Sequence, residues 1–338
     1  MVVLALGQRD GRMSASGIRV VLTGAAGYLG TVLARRCVEN GAEVLGLDIR
    51  HPGSNWPTQA TFAIHDVTDS SLATRLNDFA PDVLVHLAWI FDPVHDQQHE
   101  AHVDVDGTRN AFEAAAAAGV RRIFYPSSTT SYGIDVDRSR PLLESDPPVS
   151  NPAYPYGRFK AEVEHWLPEF RKANPSIDVV VARTCIVIGA HTKNIITHIT
   201  GWPVMFRVAG ANPPMQFMHE TDAADMMWWA ITEAPAGTFN AASSGVMSYK
   251  EICRMAGRLC IPLPAFLLYA AVEFGWRLRL LRFPAGLLDY IRYTWVADTA
   301  RMTEELGFRP RFSGRDALQA YLRASRSQRY QETPKRIR

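Results

Sequence analysis

A turn with three equally spaced glycines constrains the fold of this chain more than any other stretch. Gly24, Gly27 and Gly30 follow an apolar run over residues 18–22, typical of a short buried strand, and a helical pattern begins at Leu29. Strand, turn and helix predict the opening of a dinucleotide-binding βαβ unit. Gly24 would permit the tight turn, Gly27 the approach of a pyrophosphate, and Gly30 the close packing of helix on strand. Because the spacing is G-x-x-G-x-x-G rather than G-x-G-x-x-G, an ordinary glycine-rich turn is the alternative on this stretch alone.

Strand and helix patterns alternate regularly from this turn to about residue 190. Further strands are predicted over residues 42–48, 61–64, 82–88, 121–128 and 178–187, and helices over residues 70–79, 102–119 and 156–170. Such alternation predicts an α/β fold, a doubly wound parallel sheet whose ligand crevice lies at the C-terminal ends of the strands. Beyond residue 190 the alternation decays. One more strand over residues 238–240, a capped helix over residues 248–258 and a smaller, mostly helical substrate lobe are predicted there.

Composition and the strand–helix pattern together predict the domain organisation of the chain. The 338 residues are 47% hydrophobic and 21% charged, with a net charge of +2, so a folded core is expected and no strong attraction to nucleic acid. We expect four parts: a disordered extension over residues 1–17 with Met13 as an alternative start, a dinucleotide-binding domain over 18–190, the substrate lobe over 191–325 with some elements returning to the sheet, and a basic tail over 326–338. Four scattered cysteines favour the cytoplasm, and no apolar run is long enough to span a membrane.

An acidic residue closes the second predicted strand. Asp48 lies 18 residues after Gly30, near the distance at which a carboxylate hydrogen-bonds a ribose hydroxyl and repels a 2′-phosphate. This favours NAD over NADP. Arg50, two residues further on, is the counter-argument because its guanidinium would attract that phosphate. A role for Asp48 in a turn or a helix cap is the structural alternative.

A tyrosine and a lysine four residues apart carry the predicted chemistry. Tyr156 and Lys160 would lie on one face of a helix, and a nearby ammonium lowers the pKa of a phenol. A tyrosine so tuned exchanges a proton with an alcohol or a carbonyl. Ser128, at the end of the neighbouring strand, is placed to hydrogen-bond the same oxygen.

Taken in their order along the chain, the glycine turn, the acidic residue, the serine and the tyrosine–lysine pair resemble the motifs of the extended short-chain dehydrogenase/reductase family. That family includes NAD-dependent epimerases and dehydratases of nucleotide sugars and 3β-hydroxysteroid dehydrogenase-like enzymes. The resemblance covers roughly residues 18–325. It rests on the runs 23–30, 66–67, 86–88, 107–110, 127–128, 132–133 and 237–240, together with Asp48, Tyr156 and Lys160.

The resemblance implies a catalytic triad of Ser128, Tyr156 and Lys160, with Lys160 also holding the nicotinamide ribose and with Asp66 and Val67 touching the adenine. The candidate cofactor residues are Gly24, Ala26, Gly27, Tyr28, Leu29, Asp48, Asp66, Val67, Leu87, Ala88 and Lys160. The resemblance also implies a homodimer, since family members often pair through a helical bundle.

The chain departs from the family at positions that bear on the substrate. Asp104 stands where an Asn is frequent, residues 186–188 are apolar where the family has an Asn and a Tyr, and Met215 stands where sugar-nucleotide enzymes carry an Arg. Thr129 and Thr130 follow Ser128, in place of the Asp-Glu pair of the dehydratases. The candidate substrate residues are Trp89, Thr129, Thr130, Cys185 and Ile186, with core packing as the alternative for Trp89.

Two groups of histidines are interpreted as structural. His86 is expected to be a strand-end residue beside the cofactor rather than a base. His95, His99 and His102 lie near acidic residues, but a solvated loop entering a helix is the preferred interpretation, and no metal site is predicted.

The sequence therefore predicts an NAD-dependent oxidoreductase that interconverts a secondary alcohol and a ketone on a hydrophobic or mixed small-molecule substrate. A nucleotide-sugar 4-epimerase, with Arg183 and Arg292 serving the phosphates, is the close alternative. A regulator that binds NAD without catalysis is the alternative from another class.

Overall fold

The computed structural model of the protein describes residues 17–192 and 195–332. The extension expected over residues 1–17, with Met13, lies outside the described residues except for Gly17. Residues 333–338 of the expected basic tail lie outside them as well, whereas residues 326–332 belong to the last helix.

The first part of the chain alternates strands and helices, as predicted. Its elements in order are β1 (Arg19–Thr23), α1 (Tyr28–Glu39), β2 (Glu43–Asp48), β3 (Thr61–Ile64), α2 (Leu72–Phe79), β4 (Val83–His86), α3 (Gln97–Ala101), α4 (Gly107–Ala117), β5 (Arg122–Ser128), α5 (Pro155–Ala173) and β6 (Asp178–Thr184). A π-helical turn over His102–Asp106 joins α3 to α4, and a 3-10 turn over Thr129–Tyr132 follows β5.

The second part mixes helices with short strands. Its elements are β7 (Ile186–Ile188), α6 (Ile195–Gly201), β8 (Val204–Val208), β9 (Pro214–Met215), β10 (Phe217–His219), α7 (Glu220–Thr232), β11 (Gly237–Ala241), β12 (Met247–Ser248), α8 (Tyr249–Met255), β13 (Leu259–Leu263), α9 (Ala265–Arg277) and α10 (Gly314–Glu332). The capped helix predicted at residue 248 is α8, where Ser248 and Glu251 form a capping box.

Seven parallel strands form the central sheet in the order β11-β6-β5-β4-β1-β2-β3. The strand order reverses between β1 and β4, which is where an open α/β sheet binds its ligand. One apolar layer packs α1 and α7 against one face of the sheet, and a second packs α2, α4 and α5 against the other. Because both faces are covered, the central residues of β1, β2, β4, β5 and β6 are apolar and buried, as the run over residues 18–22 indicated.

Two predicted elements differ from the structure. The strand predicted over residues 178–187 ends at Thr184, because the chain leaves the sheet there and residues 186–188 pair with β10 instead. The helix predicted over residues 102–119 begins five residues earlier, as α3, and ends at Ala117.

Beyond residue 190 the short strands form three two-stranded sheets, one of them with β7 from before that residue, and β11 returns to the central sheet. A third apolar cluster joins α8 and α10 to Tyr132 and Leu142. Within the described residues, none of the helices is both long and apolar enough to cross a membrane.

Candidate active site

The glycine turn has the geometry that its spacing predicts. Gly24 adopts a φ of +67°, and a Cβ there would lie 2.5 Å from the backbone of Leu87 and Ala88. A Cβ on Gly30 would lie 2.6 Å from the carbonyl oxygen of Gly24, so helix and strand approach closely. Gly27 is the N-cap of α1, whose first turn contains no acidic residue. The start of α1 therefore offers free N–H groups and a positive helix end to an anion.

A cavity of about 900 Å³ runs along the C-terminal edge of the sheet from this turn to the helices of the C-terminal part. Most of the predicted site residues line it: Gly24, Gly27, Tyr28, Leu29, Asp48, Asp66, Val67, Leu87, Ala88, Trp89, Ser128, Thr130, Tyr156, Lys160, Cys185 and Ile186. Ala26 and Thr129 do not line the cavity. The Ala26 amide donates to Asp48, and Thr129 is buried with its hydroxyl unpaired.

Ser128 occupies the last position of β5, and its hydroxyl is oriented by the 3-10 turn that follows. The Thr130 hydroxyl donates to the Ser128 oxygen at 2.9 Å and the Thr130 amide donates to it at 3.2 Å. A hydroxyl has two lone pairs and one hydrogen, so Ser128 is left with its own hydrogen to donate. The Ser128 hydroxyl lies near enough to the phenol of Tyr156 to lower the pKa of that phenol. Thr130 is thus a support for Ser128.

Lys160 lies one helical turn after Tyr156 on α5 and is buried. Its ammonium donates to the carbonyl oxygen of Pro126 at 3.0 Å and lies 3.5 Å and 4.5 Å from the ring centres of Trp89 and Tyr125. Burial lowers the pKa of Lys160 below its ordinary value, while the charges of Asp104 and Glu164 oppose that shift. The aromatic faces also favour the charged form.

The pKa of Tyr156 differs from the expectation. Burial raises this pKa above its usual value, and the hydrogen bond from Ser128 opposes the shift only in part. The Lys160 ammonium lies 5.9 Å from the centre of the Tyr156 ring and is directed to Pro126 and Trp89 instead. The protein alone therefore holds Tyr156 as a neutral phenol, the form that donates a proton.

Two buried carboxyl groups, Asp104 near Lys160 and Glu100 near Asp104, were not among the predicted site residues. Asp104 accepts a hydrogen bond from the Ile90 amide at 2.8 Å with one oxygen, and its other oxygen has no partner. Burial raises its pKa, while the nearby Lys160 ammonium lowers it. Burial also raises the pKa of Glu100 to about 7. The signal in the sequence was Asp104 in place of an Asn, but its proximity to Lys160 arises only from packing.

Arg183 and Arg292, the candidate phosphate ligands, do not line the cavity. The Arg183 guanidinium forms a buried ion pair with Glu164 at 2.7 Å, and Glu164 also accepts hydrogen bonds from Ser127 and Ser131. This network fixes the end of β5 to α5. The Arg292 guanidinium lies over the rings of Tyr269 and Tyr293.

His86 is a structural residue at the end of β4, as its place in the sequence predicted. Its Nδ1 lies 2.8 Å from the Thr23 hydroxyl and its Nε2 2.9 Å from the Thr108 hydroxyl. The Thr108 hydroxyl donates to the Asp104 carbonyl, so Nε2 carries the imidazole proton and Nδ1 accepts from Thr23. Burial lowers the pKa of His86 to about 3. Across residues 17–192 and 195–332, no three His, Cys, Asp or Glu side chains come together as a metal site.

Two carboxylates, those of Asp48 and Glu220, contact the glycine turn and the start of α1 at the other end of the cavity. The Asp48 carboxylate accepts from the amides of Ala26 and Arg50, and the Arg50 guanidinium lies 3.6 Å from it. The Tyr28 hydroxyl donates to Glu220, which also accepts from the His191 amide at 3.2 Å. Glu220, which the sequence did not single out, therefore links the glycine turn to the C-terminal part of the chain.

Cys185 and Ile186 lie on the cavity wall after β6. Burial raises the pKa of the Cys185 thiol, so it stays protonated and unreactive. Cys185 is therefore an apolar wall residue, and Ile186 is placed beside it by the pairing of β7 with β10.

A glycine turn at a helix start, a carboxylate at the end of β2 and a lysine on α5 define the class of a dinucleotide-binding α/β enzyme. Residues 20–242 match the model of the NAD-dependent epimerase/dehydratase family. The chain belongs to this family and is an NAD-dependent enzyme, as the resemblance in the sequence indicated.

Comparisons with single proteins agree with the family. The chain is similar to an uncharacterized protein of Mycobacterium tuberculosis, 25% identical over 314 residues, which are 90% of this chain and 83% of that protein. A UDP-glucose 4-epimerase of Mycolicibacterium smegmatis is 36% identical over 165 residues, or 46% of this chain and 51% of the relative. The Thermus thermophilus UDP-glucose 4-epimerase complex with NAD matches with a TM-score of 0.74 at 20% identity, over 91% of this chain and 99% of that one. The last comparison shows the fold.

Proposed function

We propose that the enzyme interconverts a secondary alcohol and a ketone on an apolar substrate. The apolar wall of the cavity beyond Tyr156 is the observation that carries this proposal. The wall is formed by Trp89, Ile90, Phe91, Val94, Ile186, Ile199, Trp202, Phe206, Met215, Leu268, Val272, Phe283, Leu287, Leu288, Ile291 and Trp295. Among the described residues, the cavity is lined by one arginine, Arg50 beside Asp48 at the glycine-turn end, and by one lysine, Lys160. Such a wall selects a substrate by the apolar area that it buries.

The chain's residues have distinct roles in this reaction. The Tyr156 phenol donates its proton to the carbonyl oxygen during reduction and accepts it back during oxidation. When the substrate is bound, Ser128 donates its one hydrogen to the same oxygen instead of to the Tyr156 phenol. Lys160 stabilises the negative charge that the phenol acquires when its proton leaves. NAD, when bound, supplies or accepts the hydride at the carbinol carbon.

The residues of the cavity suit that cofactor. The start of α1 offers N–H groups to the pyrophosphate, Asp48 offers a carboxylate to the adenosine ribose, and Lys160 offers an ammonium to the nicotinamide ribose. Asp66 and Val67, which line the same end of the cavity, would contact the adenine.

A nucleotide-sugar 4-epimerase is the second candidate, and the relatives favour it. The Mycolicibacterium smegmatis relative is a UDP-glucose 4-epimerase. Against it stands the cavity wall, because a diphosphate needs cationic or hydrogen-bonding partners and unpaired charges there would cost several kcal/mol. Met215 lines the wall, and the Arg183 guanidinium forms an ion pair with Glu164 and does not line the cavity.

A regulator that binds NAD without catalysis is the third candidate. The hydrogen bonds that orient Ser128 and the burial of Lys160 argue against it, because a pure sensor has no use for an oriented proton donor. Cofactor binding without turnover on any alcohol or ketone would favour it.

We further propose a cytoplasmic homodimer. All four cysteines are free thiols, which suits a reducing compartment. The family resemblance supports the dimer. Sedimentation equilibrium of the full chain tests it, and a monomer at micromolar concentration would contradict it.

A substrate panel tests the proposed activity. Steroid, prenyl and aromatic secondary alcohols with NAD, and the matching ketones with NADH, should include at least one pair that the enzyme turns over, read from nicotinamide absorbance. UDP-glucose and UDP-galactose, tested for interconversion, are the opposing arm. Interconversion of the sugars without turnover of any apolar compound would overturn the proposal in favour of the epimerase.

A further inference from the structure

The exposed face of α9 is apolar from Phe266 to Phe274, and the apolar stripe continues past the helix in Leu278 and Leu280. Of the fifteen large apolar side chains that are exposed in the described part of the chain, five lie between residues 266 and 280: Phe266, Leu267, Phe274, Leu278 and Leu280. Phe266 is 73% exposed, Phe274 65% and Leu280 75%. Ala270 and Ala271 continue the stripe between the two phenylalanines. A patch of this kind on a folded protein marks an interaction surface.

The opposite face of α9 is buried in the fold. Leu268 and Val272 are buried and pack against Phe283 and Leu288. These side chains also line the active-site cavity. The exposed stripe is therefore a second apolar face, which the fold of the described residues leaves uncovered and which α9 separates from the cavity.

Basic residues lie at the C-terminal end of the stripe. Arg277, Arg279 and Arg282 are all exposed. Arg277 pairs with Glu273 at 2.8 Å, and Arg279 and Arg282 have no carboxylate partner among the described residues. Apolar side chains next to unpaired guanidinium groups are the composition of a helix that lies in the surface of an anionic membrane.

We propose that this docking face, formed by Phe266, Leu267, Ala270, Ala271, Phe274, Leu278 and Leu280 with Arg277, Arg279 and Arg282, binds the surface of an anionic lipid bilayer. The phenylalanine and leucine side chains enter the boundary between headgroups and acyl chains, and the arginines contact lipid phosphates. The helix lies on the membrane and does not cross it. This proposal does not depend on the substrate of the enzyme.

A second copy of the chain is a poorer occupant of the docking face. A twofold interface places the same patch against itself. With parallel helices the three arginines of one copy would lie near the three of the other, and with antiparallel helices they would lie near the apolar N-terminal end of the partner's helix. Glu273 is the single acidic residue within α9 and already pairs with Arg277. In both arrangements the arginines would be desolvated without enough carboxylates to neutralise them.

Vesicle flotation with the full chain tests the proposal. The probes are large vesicles of phosphatidylcholine alone and of phosphatidylcholine mixed with phosphatidylglycerol in equal amounts. We expect the protein to float with the mixed vesicles, to bind the neutral ones several-fold less, and to be released in part by salt. Absence of binding to the mixed vesicles would overturn the proposal.

Two double variants separate the contributions. F266S/F274S should lower the partition coefficient on mixed vesicles by about tenfold or more, since two aromatic side chains no longer enter the lipid. R279E/R282E should abolish the preference for anionic vesicles. The matched control V136S/V246S alters two exposed apolar side chains outside the docking face and should bind as the wild type. All variants are first checked for NADH binding and for an unchanged melting temperature.

Sedimentation of the same variants distinguishes a second copy from a membrane. If the enzyme is a dimer, F266S/F274S should remain one. Dissociation of this variant into monomers, or wild-type vesicle binding by either double variant, would overturn the proposal. The first result would make the docking face a subunit interface.

Discussion

The ammonium nitrogen of Lys160 lies 3.5 Å from the ring centre of Trp89. Trp89 follows β4 and lines the cavity, so one side chain forms part of the wall and also covers the lysine. A ring in this position stabilises the charged form of the lysine against the burial that lowers its pKa. Trp89 therefore has a second contact that its position after a strand did not reveal.

Replacing Trp89 should change the titration of Lys160. Trp89→Leu removes the aromatic face and lowers the pKa of the lysine further, by roughly half a unit to one unit. NADH binding weakens once the amine is neutral, so the pH at which affinity is lost moves down by the same amount. Calorimetric titrations from about pH 6 to about pH 10 measure this shift. Trp89→Phe, which keeps an aromatic face, is the control, and equal midpoints for the Leu variant and the wild type would contradict the assignment.

Tyr156 is expected to be the proton donor. Tyr156→Phe keeps the ring and removes the hydroxyl, so turnover should fall by roughly 10² or more while the NADH dissociation constant stays within about twofold. Tyr154→Phe is the matched control, since this tyrosine also lines the cavity and should keep near-normal turnover. Lys160→Met should lower both turnover and NADH affinity. Near-normal turnover by Tyr156→Phe would show that another group moves the proton.

Asp48 should set the choice of nicotinamide cofactor. NADH should bind the wild type at least about tenfold more tightly than NADPH, or about 1.4 kcal/mol. Asp48→Asn removes the negative charge and keeps an acceptor oxygen for only one of the two amides, which donate to different oxygens of Asp48, so this preference should shrink. Calorimetric titration of NADH and NADPH into the wild type and the variant measures this preference. Equal or reversed affinities in the wild type would make Arg50 the residue that determines specificity.

His86 should make the fold sensitive to acid. Its pKa is about 3 in the folded protein and near 6.5 in the unfolded chain, so between these values only the unfolded chain binds the proton. The stabilisation is complete above about pH 6.5 and decreases as the pH falls toward about 3, by about 2 kcal/mol between pH 7 and pH 5.

Urea unfolding of His86→Gln at both pH values measures this effect. The variant should lose less stability on acidification than the wild type, because glutamine has no proton to bind. His51→Gln, at an exposed position, should behave as the wild type. The same acid sensitivity in His86→Gln and the wild type would assign it to other groups.

The sequence was sufficient for the fold and for the position of the cavity, because local patterns determine both. Gly24 and Gly30 are required by contacts within one βαβ unit, and the parallel order of the strands follows from the helices between them. The residues at the strand ends then meet at one edge without any knowledge of side-chain packing.

Features that depend on distant partners could not be predicted in this way. Residues 186–188 leave the sheet because their pairing partner is the strand at 217–219. The ion pair between Arg183 and Glu164 depends on how α5 packs. The proximity of Asp104 to Lys160 depends on how the π-helical turn packs against α5. The pKa of Tyr156 is raised by an enclosure that many segments build together.

The apolar character of the substrate is the central claim, and calorimetric titration of UDP into the NAD-saturated enzyme tests it most directly. We predict no dissociation constant below about 1 mM, which corresponds to about −4 kcal/mol, because no arginine among the described residues lines the cavity wall beyond Tyr156. Binding of UDP at micromolar concentration that an apolar substrate or its ketone displaces would contradict the claim and make the epimerase the better assignment.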